Sequence, residues 1–179
     1  MTTTAPRREL LLGAAAELFA ARGYHDVGID DIGAAAGITG PGVYRHFPSK
    51  QALLEALCDR TMDRMLGLAR AAQGLDALVA LHVTFAVEER ALLSVWVRER
   101  RALAEDARQS LRERQRTYEQ VWRDALVPLR PDLTRDEVTL TVGAVLAMLN
   151  ASSLIDNPLG AQERSALLRR LAETGLLAP

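Results

Sequence analysis

From Val138 to Ile155 the chain reads VTLTVGAVLAMLNASSLI. Thr134 and Glu137 stand just ahead of it as a capping-box pair, which predicts a helix opening there and running over 135–155. That helix is apolar on nearly all sides and has to be covered on both faces. One face meets its own domain; the other needs a partner. Gly143, Ala147 and Ala151 recur at i, i+4 and i+8, a flat stripe that lets two backbones come close. A last helix over 162–174 offers Leu167, Leu168 and Leu171 beside Arg169 and Arg170. Two such helices per subunit make a four-helix bundle across a two-fold axis. A homodimer through helices near 135–155 and 162–174 is expected, the alternative being a central core helix in a monomer.

The rest of the chain keeps the helical rhythm. Of its 179 residues 49% are apolar and 4% aromatic, enough for a sizeable core but too few β-branched and aromatic side chains for much sheet. Ala and Leu, both good helix formers, dominate. Residues 1–6 are polar with a proline and are expected to lack fixed structure. Leu11, Ala14, Leu18 and Phe19 fall on one face of a first helix over 7–22, which Gly23 ends. Ile29, Ile32 and Ala36 point inward from a short helix over 29–36, with Asp30 and Asp31 in its first turn, where the helix dipole favours acids. A further short helix, anchored by Val43 and Phe47, precedes Pro48. Ser49 is a natural N-cap for a long helix over 50–72 that buries Leu54, Leu57, Cys58, Thr61 and Met65. Gly74 breaks it. Helices then fit 75–89, 91–103 and 105–126, the last with Leu111, Tyr118, Val121, Trp122 and Ala125 on its apolar side. Two prolines make 127–133 a loop.

Charge does not announce a nucleic-acid partner. The formal net charge is −1. Residues 1–60 hold six basic side chains (Arg7, Arg8, Arg22, Arg45, Lys50, Arg60) against seven acids. The exception is local: between Gly37 and Gln51 stand Arg45, His46 and Lys50 with no acid among them. Lys50 is also the single lysine of 22 Lys plus Arg, in a chain whose Arg and Ala content fits GC-rich coding. The 29–36 helix, a turn at Gly37 that tolerates positive φ, and the next short helix make a helix-turn-helix. Ile32, Ala36, Ile38 and Val43 lock the pair at a fixed angle, leaving one face of the second helix free for the major groove.

The run Ile32 to Leu54, IGAAAGITGPGVYRHFPSKQALL, resembles the DNA-binding signature of the tetracycline-repressor family. The likeness covers residues 7–60. Ala36-Gly37-Ile38-Thr39, Val43-Tyr44-Arg45-His46-Phe47, and Ser49-Lys50 with Leu53 and Leu54 carry it; the remainder is similar in length and helical content only. The resemblance implies an all-α fold, with a three-helix helix-turn-helix DNA-binding domain at 1–50. A long helix joins it to a C-terminal helical ligand-binding and dimerisation domain at 51–179. It implies a dimer facing two half-sites of a palindromic, double-stranded operator. Tyr44 then reaches a backbone phosphate and Lys50 supplies a point charge for another at a helix N-terminus. Thr39 caps the recognition helix or touches phosphate. Arg45 is the candidate base reader, since its fork matches guanine O6 and N7. Gly40 and Pro41 lie at the same surface, with Pro41 against a thymine methyl, and His46 makes a base or a backbone contact. Arg7 and Arg8 either reach phosphate or form a solvated end. Val43 and Phe47 read as core, and a core role is the alternative for Tyr44 as well. Two positions depart from the pattern. Gly33 stands where Ala is usual, softening the helix, and Gly42 where Thr or Ser is usual, removing a hydroxyl. With Gly40 they suggest a reading head that finishes ordering on DNA.

Family members commonly respond to a small ligand in the C-terminal domain. His82, Phe85, Trp96, Tyr118, Trp122, Met148 and Asn150 are the candidate lining residues. For the aromatics the alternative is plain core, for His82 a satisfied core histidine, and for Asn150 an amide partnered across the dimer. Apolar walls with few polar groups point to a small hydrophobic ligand. Val95 to Arg100, with Tyr118 and Trp122, loosely resembles members that respond to fatty acids or acyl-CoAs. The expected function is a ligand-responsive transcriptional repressor, with an activator or an effector-less or architectural DNA binder as alternatives. His25, His46 and His82 are isolated and Cys58 is the single cysteine, so no enzyme, cofactor or metal site is expected. No signal-peptide stretch and no unbroken run of 18 apolar residues occurs, so a cytoplasmic protein without a membrane contact is expected.

Overall fold

The computed structural model describes residues 4–178, with side chains from Arg7 onward. Among these residues there are nine α-helices and no strand. They are α1 (Thr4–Arg22), α2 (Ile29–Ala35), α3 (Gly40–Tyr44), α4 (Lys50–Ala71), α5 (Gly74–Glu88), α6 (Arg90–Glu99), α7 (Glu105–Leu126), α8 (Arg135–Ala151) and α9 (Ala161–Leu177). The all-α expectation holds. Four boundaries move. Helix α1 starts at Thr4, so residues 4–6 are helical where no fixed structure was expected, while residues 1–3 lie outside the described residues. Pro6 is tolerated in the first turn because its missing N–H has no intrahelical partner there. Helices α6 and α8 both end in a 3-10 turn, at Arg100–Ala102 and Ser152–Leu154. The last helix runs three residues further than its apolar pattern, to Leu177.

Local chemistry sets several of the ends. The Ser49 hydroxyl accepts the Ala52 N–H at 3.0 Å and starts α4. Thr134 and Glu137 exchange hydrogen bonds at the head of α8, N–H to carboxylate at 2.7 Å and N–H to hydroxyl at 3.3 Å. Asp31 reaches back from the first turn of α2 to accept the Gly28 N–H at 2.8 Å, a bond that lowers its pKa. Gly23 and Gly37 end α1 and α2 in the left-handed region, at φ 85° and 67°.

One core runs the length of the molecule. Leu11, Leu12, Ala15, Ala16 and Phe19 of α1 are buried beneath α2, α4 and α6. All five residues anticipated on the inner face of α4 are buried, and α4 continues down to pack on α7. Trp122 is fully buried at the centre of the C-terminal half. The N-terminal helices are tied to α6 by polar bonds. Arg98 donates to the carbonyl of Ala20 at 3.1 Å, and the Glu99 carboxylate accepts the Tyr24 N–H at 3.2 Å.

The stretch Arg135–Leu154 has a mean hydropathy of 1.4, long and apolar enough to cross a membrane by length and composition alone. Here one side of it packs on α6, α7 and α9. The other side carries Leu140, Gly143, Ala144, Ala147 and Ala151, all exposed, with Leu140 at 74%. Leu171 of α9 and Leu154 are exposed as well.

Candidate nucleic-acid interface and ligand cavity

Helices α2 and α3 cross in close contact. Ile38 donates to the Gly33 carbonyl at 2.8 Å, which pulls the chain back across α2 after the Gly37 turn. A Cβ on Gly33 would lie 2.6 Å from the Ile38 carbonyl oxygen and 3.1 Å from Val43. Gly33 is therefore the contact point of the two helices, and not only a loss of helix propensity. Val43 and Phe47 are buried as anchors. Helix α3 has five residues, with Thr39 as N-cap and Pro41 in its first turn. Thr39, Pro41, Tyr44 and Arg45 are exposed, Tyr44 at 55%; Gly40 and His46 are half-buried. Arg45 has no acid partner among the described residues. Arg8 lies with its guanidinium 4.9 Å from the Phe47 ring centroid, beside the same surface.

Lys50 does something its place in the sequence did not suggest. Its Nζ donates to the carbonyls of Tyr24 at 2.9 Å, His25 at 3.3 Å and Val27 at 2.9 Å. It also stands 4.6 Å from the Tyr24 ring centroid. An ammonium has three protons, so all of its donor capacity is engaged in holding the α1–α2 loop.

In the C-terminal half, four of the seven anticipated ligand residues come together in one buried cluster. His82 Nδ1 is 2.7 Å from the Tyr118 hydroxyl, and its Nε2 is 3.1 Å from Asn150 Oδ1. An amide oxygen only accepts, so Nε2 carries the proton and the Tyr118 hydroxyl donates to Nδ1. Burial pushes the His82 pKa down to about 4 and keeps the ring neutral; the Asn150 bond opposes this only in part. Burial likewise raises the Tyr118 hydroxyl above its usual range. Trp122 stands edge-on to His82 with ring centroids 5.7 Å apart. Asn150 thus finds its partner within its own chain.

The cavity beside the cluster holds about 30 Å³, room for little more than a water molecule. Trp96 lines it, as do Thr61, Met62 and Met65 of α4 and Leu146 of α8. Phe85, Met148 and Trp122 do not; Trp122 is fully buried core behind His82 and Tyr118. Phe85 is covered by the Arg64 guanidinium at 5.6 Å, and Met148 is half-buried elsewhere on α8. Gln115 and Glu119 do line it and were not anticipated. Their signal was weak, because polar residues of α7 read as a solvated face.

The family profile described as "Bacterial regulatory proteins, tetR family" matches residues 11–57. A second, "Tetracyclin repressor-like, C-terminal domain", matches residues 69–176, more than half of the chain. The chain belongs to the tetracycline-repressor family. Among its relatives is the HTH-type transcriptional activator FasR of Mycolicibacterium smegmatis, 44% identical over 66 residues, 37% of this chain and 30% of FasR. The HTH-type transcriptional repressor KstR2 of Rhodococcus jostii is 39% identical over 77 residues, 42% of this chain and 38% of KstR2. The matches therefore span only about a third of the length of these curated relatives. Over most of its length this tetracycline-repressor-family chain is similar to a TetR-family regulator from Bordetella parapertussis. That solved structure has a TM-score of 0.84 and 27% identity, with 94% of this chain and 93% of that one covered.

Proposed function

We propose that this protein is a dimeric DNA-binding transcriptional regulator. In this reading it is a repressor released from a palindromic operator by a small hydrophobic effector, an acyl-CoA or a fatty acid. The observation that carries the DNA reading is α3. It is a helix braced from behind by Val43, Phe47 and Gly33, with Thr39, Pro41, Tyr44 and Arg45 turned outward and no acid pairing Arg45 among the described residues. Arg45 reads a guanine edge, while Tyr44 and Thr39 contact phosphate. Gly40 and His46 complete the surface, and Lys50 serves it by fixing the loop behind. Residues 1–50 form the reading head and residues 51–179 the ligand-binding and dimerisation part.

The bare apolar side of α8 supports the dimer. Paired with its copy across a two-fold axis, it covers Leu140, Gly143, Ala147 and Ala151, and it presents two heads to half-sites about 34–36 Å apart. The effector reading is supported by the lining of the small cavity. Thr61, Met62 and Met65 belong to the same 22-residue helix whose first residue, Lys50, holds the head. A ligand that opens the cavity has to displace α4, and with it the heads.

Operator selection from fragmented genomic DNA, followed by footprinting, tests the core of this proposal; failure to enrich any site would overturn it. The position of the site decides the mode. Overlap with a promoter supports repression, and a site upstream of one supports activation, as in the name of FasR. If a panel of acyl-CoAs and fatty acids moves neither melting temperature nor operator affinity, the effector part falls.

A further inference from the structure

Beside the small cavity lies a wider cleft of about 460 Å³ between the turn after α6 and the outer face of α7. Five arginines line it: Arg100, Arg101, Arg108, Arg112 and Arg116. Three of them recur at i, i+4 and i+8 along α7, where like charges repel. The Glu105 carboxylate binds Arg108 and Arg112, the latter at 2.7 Å. Arg101 and Arg116 have no acid partner among the described residues. Glu119, which also lines the cleft, sits 3.6 Å from Arg123. Counting Glu105 and Glu119 in full against the five still leaves three positive charges uncompensated in one concavity. Trp96 and Leu111 form its apolar floor.

Trp96, Gln115 and Glu119 line both the cleft and the small cavity, so they are the wall between the two. That wall is built of surface-type contacts. Gln115 donates to Glu119 at 2.8 Å, and Arg100 reaches Gln115 at 3.4 Å while standing 5.6 Å from the Trp96 ring centroid. An anion drawing Arg100 into the cleft would release Gln115 and loosen the wall.

We infer that the arginine cleft is the subsite for the phosphate groups of the effector, whose apolar tail passes the Trp96–Gln115–Glu119 wall toward His82. The guanidinium fork pairs with phosphate oxygens two at a time, and three uncompensated charges match a head group with several phosphates. A free carboxylate brings one charge and leaves the rest unpaired. The subsite therefore selects a phosphorylated carrier of an acyl chain over the free acid. This rests on the effector reading above, and it chooses between the two effector classes named there.

Calorimetric titration of the full chain with three probes tests it: coenzyme A as a head without a tail, decanoate as a tail without a head, and decanoyl-CoA. Coenzyme A should bind one site per subunit, and binding should weaken steeply between about 0.05 and 0.3 M salt. An Arg112→Gln/Arg116→Gln pair should lose at least about 10-fold in coenzyme A affinity. The Arg112→Lys/Arg116→Lys pair should keep part of it, and decanoate binding should not distinguish any of these proteins. No binding of coenzyme A at about 1 mM, or equal binding by the Gln pair, overturns the inference. If decanoyl-CoA changes the operator affinity of the Gln pair as it does that of the wild type, the effector reading stands and the subsite falls. If coenzyme A binding depends on the arginines but no acyl compound moves operator affinity, the subsite stands and the effector reading falls.

Discussion

Lys50, Gly33 and His82 each act through what surrounds them. The Lys50 ammonium closes three carbonyls of the α1–α2 loop. Lys50→Met leaves them without their donor and should cost about 1–3 kcal/mol in the free protein, a fall of several degrees in Tm. A lysine serving only as a phosphate contact would leave the Tm of the free protein unmoved. At Gly33 two effects oppose each other. Alanine gains about 0.5–1 kcal/mol of helix propensity, yet its Cβ would meet the Ile38 carbonyl at 2.6 Å. The obstacle is backbone, so the clash wins. Gly33→Ala should lower Tm and weaken operator binding together. For His82 the folded pKa, about 4, lies below the ordinary value of 6.5. Above pH 6.5 the ring is neutral in both states and adds no pH dependence. As pH falls below that, the unfolded chain takes up a proton that the folded chain refuses until about pH 4, so stability is lost across this window. By pH 5 the loss is about 2 kcal/mol. Urea unfolding at pH 7 and pH 5 should show it for the wild type, and His82→Gln should lack that share of the slope.

At the scale of the element, α3 is the weakest helix and, in the proposed function, the one that meets DNA. Five residues, two of them glycine, form little more than one turn, below the length at which a helix is stable by itself. Only Val43 of its residues is buried. Amide exchange over residues 38–47 should therefore be fast in the free protein and slow strongly on operator binding. Exchange already slow without DNA would mean that the packing of Val43 and Phe47 suffices to order the head. Helix α4 is the opposite case. Nine of its 22 residues are buried and it touches the cavity, the head and α7, so it moves as a unit or not at all.

For the whole molecule, the uncovered side of α8 is where the proposed dimer forms. Ala147 is exposed there, between Gly143 and Ala151. Ala147→Glu should cost the monomer fold little, since the side chain points outward, while burying two charges face to face in the dimer. Analytical ultracentrifugation should find the wild type at twice the 19.6 kDa chain mass and the variant at the chain mass, with operator affinity lost. A wild type that sediments as a monomer would leave α8 as an unpaired surface helix and remove the geometry on which two half-sites depend.

The sequence by itself determined the helices, most of their ends and the reading motif. Period, caps and glycine breaks are chemistry among residues three or four apart, and Ser49, Thr134, Glu137, Gly23 and Gly37 behave as their positions demand. It also singled out the bare stripe on α8, because an all-apolar helix has a second face to cover wherever it sits. Crossing angles and distant neighbours were another matter. That Lys50 turns back onto residues 24–27, that Gly33 is a point of contact, and that Phe85, Trp122 and Met148 miss the cavity follow from how helices pack. No local pattern encodes these. The same holds for the His82–Tyr118–Asn150 cluster, drawn from three helices, and for the arginine cleft. Along the chain its residues look like an ordinary solvated face; only the turn between α6 and α7 gathers five like charges into one concave space beside the small cavity.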